Sequence, residues 1–382
     1  MRGDAAAILA ELVAIDSVSA RSNAPIVDWL AAWLGARGFT LHRHRYVDER
    51  GVEKVNLVAA AGPDREPLGS GGLALVGHTD TVPYDPAWTD ALRLTERDGR
   101  LYGRGTADTK GFIAAVLVAI DRIDRARLEA PLVCLFTADE EVGCIGARRL
   151  VEEVEVRPAH AIVGEPTGLV PIRSHKGYWL AEIEVRGSEG HSAFPAVGRS
   201  AIFDAARLLR RIEAIQDELR GDADPAFDPP WTSLNVGTIE GGKARNVIPG
   251  RCAFPLEWRP LPHQRGEKVA ELLQREIDAL RAEDPGFDAR FTIVRGEPAV
   301  AIPPDEPIVR FLEEATGHPS AAVPFGTELP WLHAVGTPGV VCGPGDIRTA
   351  HRTGEYVERA ELERAAAIYE AAIRRFCCGG RS

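Results

Sequence analysis

The chain has 382 residues, 45% of them hydrophobic and 26% charged, with a formal net charge of −11 and a pI near 5.5. That length favours two domains over one, and the composition is that of a globular protein. The acidic balance excludes nucleic acid and anionic membrane as main partners, since both select basic surface, and no apolar run approaches the roughly 20 residues of a bilayer span. The N-terminus carries Arg2 without a long apolar core behind it, which argues against a secretory signal. Six scattered cysteines without a Cys-x-x-Cys spacing suit a reducing cytoplasm, with Cys134 and Cys342 reading as small buried hydrophobes.

In chain order, residues 4–15 carry apolar pairs at helical spacing, and Asn23 before Pro25 starts a second helix that Gly38 closes. Residues 39–46 and 55–60 read as strands, and 62–72 as a polar, glycine-rich connector. Residues 73–76 form a short apolar run suited to a buried strand, ending in Gly77, His78 and Asp80. Asp98-Gly99 marks a hairpin between 91–95 and 100–102. A glycine-rich turn, 103–111, places Asp108 at the start of an apolar helix over 112–123. The strand 131–136 ends in Asp139, Glu140 and Glu141 before a helix around 147–151, and the strand 159–163 ends in Glu165.

At about residue 175 the pattern changes. Residues 177–187 alternate as a half-solvated antiparallel strand does. A helix at 200–219, strands at 234–239 and 252–258, a helix at 267–282 and a strand at 289–294 follow. This is a βαββαβ order, the ferredoxin-like unit. The α/β rhythm then returns, with helices at 308–316 and 329–335, a strand at 339–342, His351 in the next loop, and a last helix at 360–377. The expected architecture is α/β, a mixed central sheet flanked by helices. Residues 1–175 and 297–382 make one domain, and 176–296 a second domain inserted into it.

His78, Asp80, Asp108, Glu140, Glu141, Glu165 and His351 thus fall at strand ends and loops, where open α/β sheets gather ligands. Singly, each fits an ordinary turn, an acidic helix N-terminus or a surface histidine. Together they are the nitrogen and oxygen donors that two divalent cations need, about 3.5–4 Å apart and sharing a carboxylate. In a strand-to-helix turn, Glu140 and Glu141 can diverge, one to ligate and one to act as general base.

Five segments carry a resemblance: Gly-His-Thr-Asp-Thr-Val-Pro at 77–83, Gly-Arg-Gly-Thr-Ala-Asp-Thr-Lys-Gly at 103–111, Thr-Ala-Asp-Glu-Glu-Val-Gly at 137–143, Gly-Glu-Pro-Thr at 164–167 and Ala-His-Arg-Thr-Gly-Glu-Tyr at 350–356. In this order they resemble the M20 metallopeptidases, which include acetylornithine deacetylases, succinyl-diaminopimelate desuccinylases and glutamate carboxypeptidases. The resemblance implies a zinc-exopeptidase fold whose inserted domain is a lid and dimerisation domain. It implies two Zn2+, replaceable by Co2+, with His78 and Glu165 on one, Glu141 and His351 on the other, and Asp108 bridging. It further implies Asp80 as the orienter of His78, Glu140 as base and then acid, His191 as support for the oxyanion, and Asn246 and Arg259 as substrate contacts. Thr109, where the family usually has Met, and Glu257 before Arg259, where Asp-x-Arg is common, depart from the pattern.

The implied reaction is amide hydrolysis of a small N-acyl amino acid. Gly326-Thr327-Glu328 and residues 343–351 look most like acetylornithine deacetylases, with Glu328 either facing a cationic side-chain amine or capping the helix that follows. The alternatives are a desuccinylase, a glutamate-carboxypeptidase-type enzyme, and an inert binding protein on the same fold. The implied setting is the cytoplasm and the implied assembly a homodimer, with no nucleic-acid or membrane partner.

Overall fold

A computed structural model describes residues 3–63 and 68–379. The part of the expected connector at 64–67 lies outside those residues. The chain divides into two compact units: one runs up to Arg173 and resumes over Ile302–Ala321 and from Thr327 on, and the other is Ser174–Ala301 with Ala322–Gly326.

The first unit is built on a mixed sheet in the order Thr40–Val47, Glu53–Ala61, Leu132–Thr137, Leu73–His78, His160–Pro166, Gly339–Gly343, then Ile172–His175. The strands Leu132–Thr137, Leu73–His78, His160–Pro166 and Gly339–Gly343 are mutually parallel, while the flanking pairs are antiparallel. Leu73–His78 and Leu132–Thr137 are buried at every residue. That is why both read as unbroken apolar runs without alternation. From Leu73–His78 the chain crosses to Leu132–Thr137 on one side, then returns past it to His160–Pro166 on the other. Strand order reverses there, and the carboxyl ends of four parallel strands share one rim.

The helix Lys110–Asp121 is buried from Lys110 through Ile120 and packs between Ala5–Ala14 and Arg359–Cys377. Apolar residues all around it fit that enclosure. Phe112 on this helix lies against the sheet where glycine leaves room: a Cβ on Gly164 would stand 2.1 Å from the Phe112 ring. Tyr369 packs edge-on against Phe112 at 5.0 Å and donates its hydroxyl to the Cys342 carbonyl at 2.9 Å. On the helix Ala24–Gly35, Asn23 makes no side-chain cap. Its side chain instead bonds the Val55 main chain and the Thr79 hydroxyl, tying the helix start to the strand end that carries His78. The Asp98-Gly99 turn has positive φ at both residues, as a two-residue hairpin requires, and its strands, Thr95–Arg97 and Arg100–Tyr102, are joined by Tyr356–Glu358.

The second unit has the expected βαββαβ order, with its strands arranged Ser233–Asn235, Arg251–Arg259, Tyr178–Arg186, Asp288–Glu297. Ala181, Ile183, Val185, Phe254, Leu256 and Trp258 face Leu208 and Ile212 of Ala201–Leu219 and Leu273 and Ile277 of Lys268–Glu283. The predicted strand at 234–239 shortens to Ser233–Asn235, and a two-residue ribbon pairs Gly190–His191 with Val247–Ile248. Segments this short carry no readable periodicity. Among the described residues no helix is long and apolar enough to cross a membrane.

Two outcomes follow from this packing. Gly164→Ala forces Phe112 out of its seat and should cost about 1–3 kcal/mol, read as a lowered denaturation midpoint. In the second unit, Arg199 and Arg207 donate to Asp284 at 2.8 Å each, Arg199 most strongly holding its carboxyl well below the usual carboxylate range. A depressed folded-state pKa contributes stability above the unfolded value that fades as pH falls through the folded one. Asp284→Asn should therefore destabilise at pH 7 and progressively less as acid titrates the wild type, in melts recorded against pH.

Candidate metal centre

The site begins at the carboxyl end of Leu73–His78, where His78 has no exposed surface. Its Nδ1 donates to the Asp80 carbonyl at 2.9 Å, while the Asp80 carboxylate stands off at 3.6 Å. The main-chain oxygen is thus the nearer orienting atom. A carbonyl can only accept, so Nδ1 carries a proton and Nε2 is the atom turned to the site. That Nε2 lies 2.9 Å from Asp108 Oδ1 and 4.0 Å from Glu140 Oε2. The Asp80 carboxylate accepts from the Ser19 hydroxyl at 2.7 Å and from the Glu140 main-chain N–H at 3.1 Å, so it also fixes the turn that bears Glu140.

From the far side of Asp108, Oδ2 meets His351 Nε2 at 3.0 Å, and the same nitrogen lies 2.9 Å from Glu141 Oε2. His351 is half exposed and has a positive φ of 57°. Glu141 accepts from the Val82 N–H at 3.2 Å through its other oxygen, and Glu140 Oε1 accepts from the Cys144 thiol at 3.3 Å. The adjacent glutamates therefore do diverge in the turn, where the Gly143 and Cys144 N–H groups both close onto the Glu140 carbonyl. Among the described residues, two groups can offer ligand atoms that all lie within 4.8 Å of one another: His78, Glu140 and Glu165, and His78, Asp108 and Glu141.

The electrostatics of this cluster call for cations. Burial pushes the Glu140, Glu165 and Glu141 carboxyls up, and Asp108 adds to the push on all three. Asp108 is the exception: burial opposes its charge, but the His351 and His78 imidazoles overcome it and hold its carboxyl low. In return Asp108 and then Glu141 raise His351 to about 10. Glu165 Oε1 is buried with no hydrogen-bond partner. Unpaired buried carboxylate oxygen is costly. A divalent cation held among His78, Asp108, Glu140, Glu141 and Glu165 would offset that cost, with the imidazole neutral, since only neutral imidazole ligates. The mixed nitrogen and oxygen donors fit zinc chemistry.

Other expected residues lie elsewhere or differ in setting. Glu328, expected to face a substrate amine or to cap the next helix, has no exposed surface and makes no side-chain cap. Its Oε1 accepts from Thr137 at 2.5 Å, its Oε2 is buried without a partner, and burial pushes its carboxyl up to about 7. It braces the end of Leu132–Thr137 in place of an open contact. Thr109 is buried and donates its hydroxyl to the His78 carbonyl at 3.0 Å. Within the second unit, His191 is exposed on its short ribbon and accepts at Nδ1 from the Ala193 N–H at 3.1 Å, and Asn246 is exposed. Arg259 donates to Glu257 at 2.9 Å and lies 4.7 Å over the Tyr178 ring.

Glu355 escaped the sequence reading. Fully buried, it accepts N–H groups from Gly105, Ala107 and Asp108 at 3.1, 2.9 and 3.1 Å, and an Arg104 bond at 2.6 Å. It shapes the glycine-rich turn that presents Asp108. Its sequence signal was its place in the segment 350–356, four residues after His351, where it was given no role of its own.

The model of "Peptidase family M20/M25/M40" matches residues 74–375. An acetylornithine deacetylase of Myxococcus xanthus is 53% identical over 376 residues, 98% of either chain. A tripeptidase of Staphylococcus aureus superposes with a TM-score of 0.78 at 21% identity, over 98% of either chain. A dinuclear metal binding peptidase from Bacillus subtilis does so with a TM-score of 0.67 at 16% identity, over 96% of either chain. A match across most of the chain, together with a near-full-length relative at this identity, shows that the protein belongs to peptidase family M20/M25/M40.

Proposed function

We propose that this M20 hydrolase removes the acetyl group from N-acetylornithine, giving ornithine and acetate. The observation that carries the reading is the near-full-length identity to the Myxococcus xanthus acetylornithine deacetylase, supported by the clustering of His78, Asp108, Glu140, Glu141 and Glu165. In this reading His78 and Glu165 hold one Zn2+, Glu141 and His351 hold the other, and Asp108 serves both. Co2+ is the expected substitute. By the same resemblance Glu140 is the general base and stands outside the ligand set.

Two bound cations supply Lewis acidity to the scissile carbonyl and acidify water. Glu140 takes the water proton and returns it to the leaving amine. Asp80 keeps His78 turned so that Nε2 faces its ligand position. By resemblance His191 steadies the developing oxyanion, and Asn246 and Arg259 bind substrate, the guanidinium suiting a carboxylate. The same resemblance makes the protein a homodimer through the inserted unit. Five of the six cysteines are buried as thiols, which supports a cytoplasmic setting.

Assay of the cobalt-supplemented protein against N-acetylornithine, N-succinyl-diaminopimelate and N-acylglutamates should rank N-acetylornithine first in kcat/KM by about tenfold or more. A higher value for either competitor would overturn the substrate assignment. Glu140→Gln should retain both metals by elemental analysis yet lower kcat by about 10²–10⁴. His351→Ala should purify with one of the two metals lost.

A further inference from the structure

The turn that carries Glu140 is rooted in a buried cation that the reaction scheme above does not use. Lys54, on Glu53–Ala61, is almost fully enclosed. Its ammonium has three donors, and three acceptors lie around it: Asp139 Oδ1 at 2.7 Å, the Ser19 carbonyl at 2.6 Å and the Arg21 carbonyl at 3.0 Å. Asp139 directly precedes Glu140 and has a positive φ of 55°, a region that Asp tolerates better than most residues. Its other oxygen accepts from the Tyr46 hydroxyl at 3.0 Å, so both are committed. Ser19 leads to the same turn by a second route. Its hydroxyl donates to Asp80 Oδ2 at 2.7 Å, and Asp80 Oδ1 accepts the Glu140 N–H at 3.1 Å.

Two hydrogen-bonded routes thus run from one ammonium to the turn that carries Glu140. The first passes through the side chain of Asp139, the second through Ser19 and Asp80 to the Glu140 main chain. As a stability device this is poor chemistry: a buried ion pair is often matched or bettered by apolar residues of similar volume. What it supplies is direction, because it fixes the backbone on either side of the peptide that aims the Glu140 carboxylate. We propose that Lys54 and Asp139 are positioning residues of the hydrolytic site, holding the Glu140 turn in the conformation that proton transfer needs. The proposal rests on Glu140 being the general base.

Small misplacements of a reacting group cost about 10²-fold in rate, while substrate contacts remain untouched, so the loss should fall on kcat and spare KM. Lys54→Met alone strands a buried carboxylate, so the decisive variant is Lys54→Met with Asp139→Asn, which removes both charges together. It is made in the full-length, cobalt-loaded protein and assayed with N-acetyl-L-ornithine. The expected result is a folded chain with two metals, KM within about twofold of wild type and kcat lowered by about ten- to a hundredfold. Wild-type kcat, or a loss that follows metal content or KM, would overturn the proposal. If the pair of substitutions prevents folding, Tyr46→Phe, which removes only one bond to Asp139, is judged by the same split between kcat and KM. Glu140→Gln assayed alongside separates the two readings. Full turnover there removes the base assignment itself. An inert Glu140→Gln beside a fully active double variant removes only the role given to Lys54 and Asp139.

Discussion

The enclosure of Asp108, Glu140, Glu141 and Glu165 around the buried His78 imidazole is the constraint on which the rest of the site depends. Carboxylates brought this close and taken out of water repel one another and lose hydration, so the arrangement persists only with positive charge among them. Imidazole protons can supply some of it, and divalent cations supply more. The fold meets the other half of the requirement. It fixes the acidic groups so firmly, on parallel strand ends and braced turns, that they cannot relax outward.

That firmness has two identifiable sources. Asp108 is presented by a turn whose N–H groups converge on Glu355, so its direction is set by a residue from the far end of the chain. Glu140 is presented by a turn tied to Asp80, Asp139 and, through them, Ser19 and Lys54. In both places a buried polar group is fully or nearly fully satisfied by hydrogen bonds, and such networks specify one geometry where apolar contact would allow several.

The likeness to a tripeptidase at 21% identity and to a dinuclear metal binding peptidase at 16% shows one fold kept through wide divergence of sequence. The sheet and its rim belong to that shared fold, and function lives in the groups set around such a framework. The burial of Glu328 is instructive here. A carboxylate near a site invites a role in binding a cationic substrate, yet with no exposed surface it works on the strand end beneath the site.

The sequence by itself determined the fold class and the βαββαβ order, and it marked the acidic and imidazole residues at strand ends, because each rests on a local signal. Buried parallel strands such as Leu73–His78 are unbroken apolar runs, the half-solvated strand Tyr178–Arg186 alternates, and metal-type side chains sit where such runs stop. Only the tertiary structure decided which donors meet and what steadies them. His351 reaches Asp108 across more than two hundred residues of chain, and Glu355 finds the turn at 105–108 over a similar separation. The same holds for Lys54 and Asp139, and for the two-residue ribbon under His191. These contacts join residues that are individually unremarkable and have no mutual period, so nothing along the chain announces them. They arise when the sheet closes and buried polar groups must find partners.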